Sequence, residues 1–135
     1  MKRIFGICII SIALLAISCS TGIKFPPSYK VPAANITLKI KPLESGNQEI
    51  YIKAEYLAAP ERLNPKRNVY VVWAATMNEG IRNLGIIDNE NAETVKFETL
   101  TPFKLSEIFI TAEDIGSIGQ PAGEEVARID VKGIK

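Results

Sequence analysis

Val69-Tyr70-Val71-Val72-Trp73-Ala74-Ala75-Thr76 (VYVVWAAT, residues 69–76) decides the fold. Its residues are nearly all apolar and rich in β-branched and aromatic side chains. A run of this length reads as a strand covered on both faces, or as the centre of a sandwich. Trp73 brings ~150–250 Å² of surface to bury. At ~25 cal/mol/Å² that area contributes several kcal/mol. Core packing is therefore its expected role, with ligand stacking the alternative.

Outward from this run the pattern changes to period two, the mark of strands with one buried face. Upstream, Ile36, Leu38 and Ile40 alternate with Thr37, Lys39 and Lys41, and Pro42 with Ser45-Gly46-Asn47 makes a turn. Ile50, Ile52 and Ala54 then alternate with Tyr51, Lys53 and Glu55. Residues 57–68 (LAAPERLNPKRN) read as a loop with one short helical turn. Downstream, Met77-Asn78-Glu79-Gly80 turns the chain into a return strand, Ile81 to Ile87, in which Gly85 marks a bulge. Val95, Phe97 and Thr99 face inward in a further strand, which Thr101-Pro102 ends. Phe103 to Ala112 and Val126 to Lys132 supply the last two strands, joined by a loop with Gly116, Gly119, Pro121 and Gly123. Seven short strands with turn signals between them, and no amphipathic helix, predict an all-β fold. The expected architecture is an immunoglobulin-like antiparallel β-sandwich over residues 34–135, with a small open barrel as the alternative.

The N-terminal segment is of another kind. Lys2 and Arg3 precede an apolar run from Ile4 to Ile17. As a helix this run spans roughly 21 Å at ~1.5 Å per residue, short of the about 30 Å of a hydrocarbon core. It reads as a signal peptide, residues 1–18. Ala16-Ile17-Ser18-Cys19 resembles the processing box of bacterial lipoproteins, with Ser18 at −1 and Cys19 at +1. The leucine stands one place earlier than that pattern prefers, and Ala16 and Ser18 also suit ordinary signal peptidase at the same bond. Secretion without acylation and an uncleaved anchor are the alternatives. The resemblance implies a diacylglyceryl group on Cys19. Cys8 leaves with the leader, so Cys19 is the lone cysteine of the mature chain and no internal disulfide can form. Acylation removes a stray thiol, and two chains meet the requirement for stable anchoring.

Residues 19–33 are expected to form the lipidated N-terminus and a flexible tether. Ser20 to Ala33 (STGIKFPPSYKVPA) holds three prolines. In extended polyproline geometry it would reach roughly 40 Å at ~3.1 Å per residue. The alternative is that Phe25, Tyr29 and Val31 pack onto the domain as a first edge strand.

Without the leader, 117 residues remain, enough for one domain with its own core. Lys2 and Arg3 leave as well, so 14 basic residues stand against 15 acidic ones. Near-neutrality argues against a nucleic-acid partner. It argues equally against electrostatic docking on a membrane, leaving attachment to the lipid anchor.

Recognisable chemistry is sparse. The chain has no histidine, which excludes Ser-His pairs and the commonest zinc ligand. Glu113-Asp114 and Glu124-Glu125 would flank a calcium ion only if their loops converged; solvated charge pairs are the expected reading. Gly116-Ser117-Ile118-Gly119 lacks the strand–loop–helix context of a phosphate cradle and reads as a turn. Tyr51, Tyr56 and Tyr70 could line a sugar-stacking surface, although alternation alone can put Tyr51 and Tyr70 on outer faces.

Three elements resemble the C-terminal extracytoplasmic domain of anti-sigma-K factors over residues 69–132. They are Tyr70-Val71-Val72-Trp73, the return strand Asn83-Leu84-Gly85-Ile86, and Phe109-Ile110-Thr111-Ala112-Glu113-Asp114 followed by Gln120-Pro121-Ala122-Gly123. The resemblance implies a sensor-like sandwich outside the membrane. It does not carry sigma-factor inhibition, because a leader and Cys19 stand where the family has its cytoplasmic domain and membrane span. The expectation is a non-enzymatic binding or scaffold module without cofactor or metal, held on the extracytoplasmic face of a bacterial membrane. It would meet an envelope protein. A glycan-binding module is the alternative.

Overall fold

A computed structural model describes residues 22–89 and 93–134. The expected leader (residues 1–18), the expected acylation site Cys19 and residues 20–21 lie outside the described residues. The described residues form eight strands: β1 Ile23–Lys24, β2 Asn35–Pro42, β3 Gln48–Glu55, β4 Val69–Thr76, β5 Ile81–Ile87, β6 Thr94–Thr101, β7 Leu105–Glu113 and β8 Glu124–Asp130. A 3-10 turn, Pro60–Arg62, interrupts the loop between β3 and β4. Two antiparallel four-stranded sheets, ordered β1-β2-β3-β6 and β5-β4-β7-β8, face each other as an immunoglobulin-like sandwich.

Period two sets the register of the first sheet. Ile36, Leu38 and Ile40 lie opposite Ala54, Ile52 and Ile50, and those in turn oppose Val95, Phe97 and Thr99. The apolar parity meets Tyr70, Val72, Ala74, Ile108, Ile110 and Ala127 of the second sheet in one continuous core. A slip of one residue would turn each strand's apolar set to water, which is why the register is unique. Gly85 (φ +138°) sits at a bulge where Val72 pairs with Gly85 but Trp73 pairs with Asn83.

β4 is apolar on both faces, and each face has its own cover. Tyr70, Val72 and Ala74 point between the sheets, whereas Val71 and Trp73 point outward and pack with Phe109 in a second, smaller cluster. Trp73 is fully buried there, its ring 6.3 Å from that of Phe109 at an interplanar angle of 16°. What covers this outer face is the β7–β8 loop, which brings Ile118 onto the cluster.

The Pro-rich segment corrects an expectation. Residues 22–33 do not stand away from the domain as a spacer. Ile23 and Lys24 pair with Leu38 and Thr37, and the Phe25 N–H donates to the Ile36 carbonyl at 2.9 Å. Phe25 and Val31 are buried in the main core, while Tyr29 is fully exposed. The sandwich therefore begins at residue 23 rather than 34. Burial of two large apolar side chains outweighs the preference of the prolines for a free extended chain.

Candidate functional site

The acidic pairs singled out in the sequence do not converge. Glu113 is 2 % exposed, whereas its neighbour Asp114 reaches solvent and pairs with Arg67 at 3.3 Å. Glu124 pairs with Lys30 at 3.0 Å and Glu125 with Arg128 at 2.7 Å. Among the described residues no three carboxylate, thiol or imidazole groups come close enough to hold a metal. Glu113 instead closes a buried chain of hydrogen bonds. The Trp73 indole N–H donates to Thr111 Oγ1 at 2.8 Å, the Thr111 hydroxyl donates to Glu113 Oε1 at 2.6 Å, and the Ala122 N–H donates to the same oxygen at 3.1 Å. This chain holds the β7–β8 loop down on the second sheet. From the other side, the Asn83 amide donates to the carbonyls of Gly116 and Ile118 at 2.9 Å each. Gly116-Ser117-Ile118-Gly119 is thus a clamped turn.

The three tyrosines do not share a surface. Tyr70 is fully buried, and its hydroxyl donates to the Ala58 carbonyl at 2.6 Å. Burial first, and then the nearby Glu61 charge, push its pKa up to about 12. Tyr51 lies half-buried on the outer face of the first sheet, and Tyr56 is exposed beyond the end of β3 with φ +55°. Sequence parity could not settle Tyr70, because β4 is apolar in both phases.

Two surfaces are left that sequence reasoning did not find. The first is a groove of about 320 Å³ between residues 26–30 and β8, lined among others by Pro26, Pro27, Tyr29, Val126 and Arg128. Phe25 and Val31 pin the segment at both ends, and Ser28 Oγ accepts from the N–H groups of Lys30 and Val31. Among the described residues no backbone hydrogen bond joins this segment to β8, so that strand is paired only with β7. Beside the groove, the Arg128 guanidinium lies 4.1 Å from the Phe109 ring centroid and pairs with Glu107 and Glu125. These hydrogen bonds, Glu125 foremost, hold its pKa above the ordinary value.

The second surface is the outer face of the first sheet. Its side chains stand in cross-strand rows: Lys24–Thr37–Lys53–Lys96, then Lys39–Tyr51–Glu98, then Lys41–Glu49–Leu100. A shallow depression of about 320 Å³ lies among Lys39, Lys41, Glu49 and Tyr51. At the edge of this face Lys53 pairs with Glu55 at 3.1 Å. The hydrogen bond from Lys53, and then that from Asn35, hold the Glu55 carboxyl below its ordinary pKa.

The segments read from the sequence as similar to the anti-sigma-K domain fall in β4, β5, the end of β7 and the β7–β8 loop, all in the second sheet and the loop that covers it. No protein-family model, curated protein or solved structure matches the chain.

Proposed function

We propose that this chain is an envelope lipoprotein, acylated at Cys19 and displayed outside the cytoplasm, whose sandwich acts as a binding or scaffold module through protein contacts. The observation that carries the protein-contact reading is the free edge of β8 beside the groove of residues 26–30. An unpaired edge offers a row of backbone donors and acceptors, which an extended segment of another protein can complete. The glycan alternative draws on an aromatic row, and Tyr70 is buried away from Tyr51 and Tyr56. The sensor-like character implied by the anti-sigma-K resemblance fits the same role. It contributes a fold and an address, with no sigma factor required.

Two measurements test this. Detergent phase partitioning should put the mature chain in the detergent phase and its Cys19→Ala variant in the aqueous phase. A bare thiol at Cys19 in the intact mass would remove the anchor. A photo-crosslinker at Tyr29, beside the β8 groove, should give one discrete protein adduct in intact membranes, and the same probe at Lys66 should not. Retention on cell-wall glycan with no protein adduct would overturn the reading.

A further inference from the structure

The chain is close to neutral, but its charge is sorted by face. The outer face of the first sheet carries Lys24, Lys39, Lys41, Lys53 and Lys96 against Glu49, Glu55 and Glu98. The outer face of the second sheet is acidic, with Glu107, Glu125 and Asp130 exceeding Arg128. One row of the first sheet, Lys24–Thr37–Lys53–Lys96, has three lysines and no acid. Neighbouring strands lie about 4.8 Å apart, so this row extends roughly 14 Å across the sheet. Within it Lys53 stands directly opposite Lys96. Like charges in that relation destabilise a sheet. Lys53 is offset by its ion pair with Glu55 on the same strand, whereas Lys24 and Lys96 are in no ion pair among the described residues. A local rule only partly compensated inside the fold is expected where the surface serves something outside it.

The chain also reaches the sheet on this side. A Cβ on Gly22 would lie 3.5 Å from the Lys39 side chain and from Thr37 Cβ. Only three peptide steps, through Ser20 and Thr21, separate Cys19 from Gly22. They reach at most about 11 Å at ~3.6 Å per residue, close to the Debye length of about 8 Å at physiological salt. Lysine side chains directed outward from the face close the remaining distance.

We infer that the outer face of the first sheet docks on an anionic bilayer surface, with Lys24, Lys39, Lys53 and Lys96 against the lipid headgroups. The docking site itself is read from the charge rows, while its delivery to the bilayer rests on acylation of Cys19. The sandwich then lies on its first sheet. The acidic second sheet, with its clamped loop, faces away from the lipid. Overall neutrality, which in the sequence argued against electrostatic docking, is the sum of two opposed faces.

The test uses the acylated full chain in vesicles of zwitterionic lipid, with and without anionic phosphatidylglycerol. Acetylation rates are read at each lysine by mass spectrometry. Lys24, Lys39, Lys53 and Lys96 are expected to react about fivefold more slowly on the anionic vesicles, the factor equivalent to ~1 kcal/mol per lysine held at the surface. Lys66 and Lys132 should be unchanged. The difference should vanish in molar salt, where the Debye length is about 3 Å. In the double variant Lys53→Glu, Lys96→Glu, Lys24 and Lys39 should lose their protection while the melting curve is retained. Equal rates on both vesicles, or protection that survives the double variant, would overturn the docking face. If Cys19 carries a bare thiol, the anchor reading fails separately. Coupling that thiol to a maleimide phospholipid then leaves the docking test intact.

Discussion

Glu113 is an acid by type and a buried connector by position. Its oxygen receives the Thr111 hydroxyl and the Ala122 N–H, and Thr111 in turn receives the Trp73 indole. Glu113→Ala leaves two of these groups without a partner, at about 1–3 kcal/mol for each buried group. We expect a loss of about 2–4 kcal/mol in urea unfolding, with faster amide exchange at Ala122. Glu113→Gln keeps an acceptor oxygen and should lose less than half as much. Tyr70 gives a pH signature of its own. Its folded pKa lies at about 12 against an ordinary 10.0, so the unfolded chain releases this proton first. Its contribution to stability is complete below pH 10 and is lost as pH rises through 12. Absorbance titration should show one of the four tyrosines ionising near pH 12, and Tyr70→Phe should remove that step.

At the scale of the element, the β7–β8 loop depends on a glycine at its return. A Cβ on Gly123 would overlap the Ala112 carbonyl oxygen, which is backbone and cannot rotate away. Gly123→Ala is therefore expected to lower stability by about 1–3 kcal/mol, as overpacking does. Gly119→Ala, with open space around it, should stay within about 0.5 kcal/mol. Thermal melts of the two variants make the comparison. The edge segment makes a similar demand. Phe25→Ala should cost about 3–5 kcal/mol if the ring is core, and nothing measurable if residues 22–33 were a spacer. Of the seven longer strands, β2, β3, β6 and β8 were legible by alternation, β4 by an unbroken apolar run, and β5 and β7 by apolar residues set between turn signals. The first strand was not legible as more than the alternative to a tether, since Phe25 and Val31 flank prolines and show no periodicity. Nor was the parity of β4, where Tyr70 and Trp73 are both apolar neighbours of valine and only the tertiary register decides which faces the other sheet. Burial of Glu113 was equally hidden, because nothing in Glu113-Asp114 distinguishes the two acids before the loop folds over one of them.

The whole molecule has one main core that draws side chains from both sheets and from the segment before β2. Trp73, the single tryptophan, reports on the smaller cluster outside that core. If the two clusters are one cooperative unit, Trp73 fluorescence and far-ultraviolet circular dichroism will follow the same urea transition. Separate midpoints would mean that the loop-covered face opens alone. The composition spoke for a neutral body, and only the cross-strand rows divided it into a basic and an acidic side. The place where the chain joins the sheet has a mechanical meaning. β1 is two residues long and is followed at once by the buried ring of Phe25. Tension at the N-terminus therefore meets a short hydrogen-bonded ladder and then the interior of the sandwich, with no slack from residue 22 onward to absorb it. Stretching or shearing of whatever holds that terminus would be transmitted into the core, and peeling of β1 is the first place where such a force would be felt.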